Sequence, residues 1–134
     1  MAAEHTFVMV KPDGVRRGLV GEVIGRFERK GLRLERIEVV HVDEDLARRH
    51  YAEHVEKGFF PELLAFITSG PSVAMEWSGR NAVQVVRDLM GATDPVDSAA
   101  GTIRGDLGLD KTENLVHGSD SPASAERELS LFFH

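Results

Sequence analysis

Near the start of the chain, Phe7-Val8-Met9-Val10 is an unbroken apolar run closed by Lys11-Pro12-Asp13-Gly14. A short apolar run that ends in a turn signature predicts a strand buried on both faces, with Lys11 at its exit. Val20, Val23, Ile24 and Phe27 then recur at i, i+3, i+4 and i+7, the stripe of an amphipathic helix, and Gly31 offers a left-handed terminator. Over 32–42 a partial alternation (Leu32, Leu34, then Ile37, Val39) predicts a half-buried strand. Asp43 is placed to cap a helix over 44–54, with acids in its first turn and Arg48 and Arg49 later, as the helix dipole favours.

Pro61 opens a short helix through Thr68 that Gly70-Pro71 stops, and 73–77 reads as a strand. Residues 82–90 are helical in pattern. From 91 to 113 the chain is rich in Gly, Asp and Ala and follows neither period, and structureless loops longer than about 12–15 residues in a small domain are usually functional or disordered. Asn114-Leu115-Val116-His117 is a short strand candidate, and Ser121-Pro122 supplies a cap and an N1 proline for a last helix to about Phe133. Alternating strands and helices imply an α/β or α+β sandwich with helices on one or both sheet faces.

Composition narrows the chemistry. A length of 134 residues suits one domain, 1–134, with one core. With no cysteine, disulfides, Cys-ligated zinc and thiol nucleophiles are excluded, which leaves His, carboxylates, hydroxyls or bound cofactors. A net charge of −6 argues against affinity for nucleic-acid phosphates. The charge is uneven: 11 basic and 12 acidic residues lie in 1–67, but 5 basic and 10 acidic in 68–134. The arginines kept in the acidic half are therefore candidates for an anionic ligand. The longest charge-free stretch, 63–75, contains Gly70 and Pro71 and is too short and broken to span a bilayer, and no signal-peptide pattern opens the chain, so a soluble, cytoplasmic protein is expected.

Three patterns invite a different chemistry, and two of them fail on their residues. Gly105 to Thr112 nearly spells a phosphate-binding loop, but Asp110 stands where glycine is required. Gly70-Pro71-Ser72-Val73-Ala74 lacks the second glycine of a nucleophile elbow. His50-Tyr51-Ala52-Glu53-His54 matches the H-x-x-E-H pattern of inverted zinc peptidases, yet so short a match needs a third ligand and a cleft to carry weight. His117 is the stronger candidate. It leaves a strand before a glycine and a polar helix start, with the Ser119 hydroxyl two residues on and the Glu128 carboxylate within reach, and a neutral imidazole serves as a nucleophile as well as a base.

From about Thr6 to Phe133 the chain resembles the nucleoside diphosphate kinases. The resemblance rests on Lys11-Pro12-Asp13-Gly14, His50-Tyr51, Phe59-Phe60, Thr68-Ser69-Gly70-Pro71, Gly91-Ala92-Thr93-Asp94-Pro95, Gly101-Thr102-Ile103-Arg104-Gly105-Asp106 and the stretch from Asn114 to Ser121. It implies a ferredoxin-like βαββαβ core, an antiparallel four-stranded sheet with helices on one face and additions around it. It implies that His117 takes the γ-phosphoryl group of a nucleoside triphosphate, chiefly ATP, and passes it to a diphosphate in a ping-pong cycle, with Glu128 and Ser119 orienting the ring and Tyr51 beside the γ-phosphate. Lys11, Arg87 and Arg104 would hold phosphates, Thr93 would donate a hydroxyl to one, Asn114 with Lys11 would contact the sugar, and Phe59 would stack on the base. Stacking on one ring reads no base edge, so broad nucleotide specificity is expected. Mg²⁺ would arrive on the substrate's phosphates, since no carboxylate cage is visible.

The resemblance further implies a homo-oligomer, a dimer-based tetramer or hexamer with the hexamer favoured, and nucleotides as partners. The chain departs from the family pattern at Ala100, where a proline is common, and it ends at His134, without the tail that longer members use in subunit contacts. A catalytically silent nucleotide-binding module on the same fold is the alternative reading.

Overall fold

The computed structural model describes residues 3–133. Among them, β1 (Glu4–Val10), β2 (Arg33–Val40), β3 (Ser72–Gly79) and β4 (Val116–Gly118) form one antiparallel sheet in the order β2-β3-β1-β4. The helices that connect these strands, α2 (Val20–Lys30) and α5 (Ala82–Met90), complete the βαββαβ pattern and cover one face. That is the ferredoxin-like arrangement. The additions are α1 (Pro12–Arg16), α3 (Glu44–His50), α4 (Phe60–Ile67), α6 (Ile103–Leu107) and α7 (Pro122–Phe132).

The unbroken run in β1 is explained by its central place, because its side chains feed two cores. Val8 and Val10 point toward α2 and α5, joining Val23, Phe27, Met75, Trp77 and Val86. Phe7 and Met9 point the other way, joining Ala47, Phe60, Ile67, Phe132 and Phe133 of α3, α4 and the C-terminal end. Burying both faces of one strand requires apolar residues at every position rather than at alternate ones.

The helix signals act as expected. Gly31 ends α2 at φ +109°, Asp43 caps α3 by accepting from the Leu46 N–H at 2.8 Å, and Ser121 caps α7 through the Ser124 N–H at 3.1 Å.

Four expectations need correcting. The helix expected over 44–54 stops at His50, and Ala52–His54 forms a 3₁₀ turn instead. The irregular tract 91–113 contains a 3₁₀ turn at Pro95–Asp97 and the short helix α6, each too brief to show a period. The turn after β1 is itself the first turn of α1. Strand β2 is mostly exposed rather than half-buried: a bulge between Leu34 and Arg36 sets Ile37 and Val39 opposite Met75 and Val73, and at the sheet edge they stand 46% and 68% exposed.

Candidate active site

The site forms where β4, at one edge of the sheet, meets α7. His117 lies opposite Met9 in the β1–β4 register. Residues opposite one another share a face, so the imidazole points with Met9 toward α7, while Val116 points into the α2–α5 core. Glu128 on α7 is buried and meets the ring: its Oε1 lies 3.0 Å from Nε2 of His117 and accepts the Ser119 hydroxyl at 2.6 Å. A carboxylate only accepts, so Nε2 carries the proton and Nδ1 keeps the lone pair.

A cleft of about 490 Å³ opens over this histidine. Lys11, Tyr51, Arg87, Thr93, Arg104, Asn114, His117 and Glu128 all line it. Ser119 lies beneath it, fully buried. Phe59 does not line the cleft. It sits half-exposed outside, its ring 5.5 Å from that of His54, a lining residue, and 5.8 Å from the Lys57 ammonium.

The polar residues are tied to one another before any ligand arrives. Asn114 accepts from the Lys11 ammonium at 2.8 Å and donates to the Thr93 carbonyl at 2.8 Å, joining the end of β1 to the loop after α5. Arg104 donates to the carbonyls of Asn114, Gly91, Ala92 and Val116 at 2.6–3.3 Å. A guanidinium has five N–H groups, so these four contacts leave one for the cleft. Arg87 is exposed and donates to the Asp120 carbonyl at 3.0 Å.

Electrostatics follow from crowding cations into a partly dry space. Burial, reinforced by Arg104, pushes the Lys11 ammonium down to about 7, against a smaller opposing pull from Asp13. Burial and then Arg87 lower Arg104 to about 10, so it stays charged at neutral pH. Burial, with Glu128 nearby, raises the Tyr51 phenol, whose hydroxyl has no protein partner among the described residues. An anion in the cleft would relieve this mutual repulsion.

Three residues of this region have no part in the nucleotide site expected from the sequence. His50 is buried with its ring 4.6 Å from that of His117, and burial, then His117, keeps its pKa well below the usual histidine value. Arg127 lines the cleft and donates to the carbonyls of Arg49 and His50 at 3.0 Å, satisfying the C-terminal end of α3. Asp13 is buried against Leu115. Only adjacency to Tyr51 and Glu128 hinted at the first two, because their placement depends on α3 and α7 meeting.

The three other patterns gain no site of their own. His54 leaves the α-helical register of His50 at the 3₁₀ turn and pairs with Lys57 at 2.9 Å. Ser72 is buried at the start of β3, and Gly105 lies inside α6. His50, His117 and Glu128 do bring three potential ligand atoms within 4.8 Å of one another. Such an imidazole-rich set suits zinc or copper better than magnesium, and the cations Lys11, Arg87, Arg104 and Arg127 in the same cleft oppose a bare divalent ion.

Comparison with known proteins is decisive at this point. The family model described as nucleoside diphosphate kinase matches residues 4–134. A nucleoside diphosphate kinase of Archaeoglobus fulgidus is 63% identical over 130 residues, covering 97% of this chain and 86% of its own. One from Natronomonas pharaonis is 61% identical over 131 residues, covering 97% and 86%. Among solved structures, the halophilic nucleoside diphosphate kinase of Halobacterium salinarum in complex with CDP superposes with a TM-score of 0.96 at 55% identity, covering 98% of this chain and 88% of that one. With the ferredoxin-like sheet, the buried carboxylate behind His117 and the cationic cleft in front of it, the chain belongs to the nucleoside diphosphate kinase family.

Proposed function

We propose that the chain transfers the γ-phosphoryl group of a nucleoside triphosphate, chiefly ATP, to a nucleoside diphosphate through a phosphohistidine at Nδ1 of His117. The observation that carries this reading is the engagement of Nε2 by Glu128, which leaves Nδ1 as the nitrogen able to attack.

In the first half-reaction the Nδ1 lone pair attacks the γ-phosphorus, and the bond to the β,γ-bridging oxygen breaks. The diphosphate leaves with that electron pair. In the second, a terminal β-phosphate oxygen of another diphosphate attacks the phosphorus, and the N–P bond returns its pair to Nδ1. Phosphorylation makes the ring cationic, and Glu128, held by Ser119, offsets that charge through Nε2–H without moving. Phosphoryl transfer otherwise needs position and positive charge, which Lys11, Arg87, Arg104 and the Thr93 hydroxyl are placed to supply, with Tyr51 beside the γ-phosphate. Asn114 and Lys11 take the sugar. Phe59, at the rim, stacks on the base, so base identity matters little.

The cleft suits Mg²⁺ carried on the substrate's phosphates: Lys11, Arg87 and Arg104 would meet the phosphate oxygens, and the ion would add positive charge beside them. It neutralises charge on the β- and γ-oxygens when bound. The 134 residues act as one domain, a reading supported by a sheet that both cores share. A homo-oligomer belongs to the same proposal. Among the described residues β2 is an edge strand, and its exposed Ile37 and Val39 support a dimer contact; the exposed Val96 and Leu109 in the 91–113 tract offer a second apolar contact for a tetramer or hexamer, the hexamer being the form the resemblance favours. A cytoplasmic location belongs to the same proposal.

Incubation with γ-labelled ATP and Mg²⁺ tests the reading. The expected product is an acid-labile, alkali-stable phosphoenzyme that discharges onto any nucleoside diphosphate. Label that persists in His117→Asn would overturn the nucleophile, and absence of turnover in an exchange assay would leave the silent nucleotide-binding module.

A further inference from the structure

Of the motif Lys11-Pro12-Asp13-Gly14, the proposed reaction uses only Lys11. The structure gives the rest a common target. Leu115, two residues before His117, has φ +75°, and the Val116 N–H donates to the Asn114 carbonyl at 2.9 Å. This is a γ-turn of positive φ, built on a branched residue whose side chain is sunk in the α2–α5 core. A conformation of this kind costs on the order of 1–3 kcal/mol and persists only where its surroundings over-determine it.

The surroundings here are that motif. The Lys11 N–H donates to the Leu115 carbonyl at 2.8 Å, and the Leu115 N–H donates to Oδ2 of Asp13 at 3.1 Å. Gly14 leaves room for the turn: a Cβ there would lie 3.1 Å from the Leu115 oxygen and 2.7 Å from Val10 Cγ1. Both polar groups of the strained residue are therefore held by the start of α1, the carbonyl by the Lys11 N–H and the N–H by the Asp13 side chain. What the turn aims matters to the reaction. Its first residue, Asn114, bridges Lys11 and Thr93, its last, Val116, offers a carbonyl to Arg104, and the next is His117.

We propose that Asp13 is a positioning residue for phosphoryl transfer: its buried carboxylate clamps the left-handed turn at Leu115 and so fixes where His117 and Asn114 face the phosphates. The inference rests on the proposed function. A second effect has the same source, since the Asp13 charge supports the ammonium of Lys11 against burial and Arg104.

The test is single-turnover phosphorylation by saturating ATP in the wild type, Asp13→Ala, Asp13→Asn and a core control, Val23→Ala, below the melting temperature of each. Asp13→Ala is expected to slow the first-order step by about 10- to 100-fold, as sub-ångström misplacement of reacting groups does. Asp13→Asn, which still presents an oxygen to the Leu115 N–H, is expected to recover most of that loss, and more of it as pH falls and Lys11 regains its proton. Amide exchange at Leu115 should accelerate in the alanine variant alone. A rate in Asp13→Ala no lower than in Val23→Ala overturns the proposal, as does an asparagine variant as slow as the alanine one. Should the alanine variant not fold, Asp13→Glu sets the acceptor one methylene out of place and is expected to lose rate similarly; a wild-type rate there overturns the proposal. A wild type that forms no phosphoenzyme overturns the reading on which it rests as well, so the two failures are distinguishable.

Discussion

His117 meets Glu128 through Nε2, 3.0 Å from an Oε1 that is also the acceptor of the Ser119 hydroxyl. One carboxylate oxygen thus fixes the ring's tautomer and is itself fixed. Glu128 can rotate away only by giving up the serine contact, because the carboxylate is buried with α7 against β1. Loss of Ser119 should therefore act through the histidine.

Ser119→Ala is expected to lower the phosphorylation rate by about 10- to 100-fold, the equivalent of one hydrogen bond to a charged group at roughly 1.5–3 kcal/mol. Glu128→Ala should cost more, since it also removes the offset to the cationic phosphoimidazole. Rapid-quench measurement checks both. An unchanged rate in Ser119→Ala would mean that packing alone holds Glu128.

Lys11, at about 7, should give nucleotide affinity a pH dependence. Binding is expected to weaken as pH rises through about 7, because the neutral amine no longer meets phosphate, and ligand binding below that range should need no proton uptake. For stability the sign is opposite. The unfolded lysine holds its proton up to its ordinary value of 10.5, so the folded state binds fewer protons between about 7 and 10.5, and this penalty is full below 7 and fades as pH rises. Lys11→Met should flatten that slope in denaturation curves of the nucleotide-free protein.

Arg104 joins the 91–113 tract to β4 by four donated hydrogen bonds. Arg104→Ala leaves buried carbonyls unpaired and is expected to cost about 2–5 kcal/mol in urea denaturation besides weakening nucleotide binding. Arg104→Lys should recover little of the stability, because an ammonium cannot span the fork.

Phe59 stands outside the cleft wall, and Phe59→Ala is expected to weaken binding of all nucleoside diphosphates alike, by about 1–3 kcal/mol at most. Isothermal titration with a purine and a pyrimidine diphosphate checks it. A loss confined to one base would contradict stacking as the mode of contact.

Val39, at 68% exposure on β2, an edge strand among the described residues, is the residue to change for the proposed assembly. Val39→Lys is expected to shift the oligomer toward monomer in sedimentation velocity, with the folding of the sheet unaffected, since a charged edge resists strand pairing.

The elements themselves were legible along the chain because each rests on local physics. The apolar run Phe7 to Val10 marks β1, which starts three residues earlier at Glu4, the stripe from Val20 to Phe27 marks α2, and Gly31, Asp43 and Ser121 stand at the helix ends they were expected to cap. His117, Glu128 and Ser119 were legible as a group through strand exit, short spacing and family motifs, and the antiparallel sheet through the family alone. Strand β2 is more exposed than its pattern implies because it has a strand neighbour on one side only among the described residues. Tertiary structure alone decided that Nε2 rather than Nδ1 faces Glu128, that His50 packs against His117 instead of pairing with His54, and that Asp13 reaches Leu115, 102 residues away in sequence. The physical reason is common to all three. Periodicity and capping report how a residue sits relative to its own backbone, whereas a tautomer, a ring contact or a clamp on a strained turn depends on which atoms distant segments bring within about 3–5 Å, and no local pattern carries that distance.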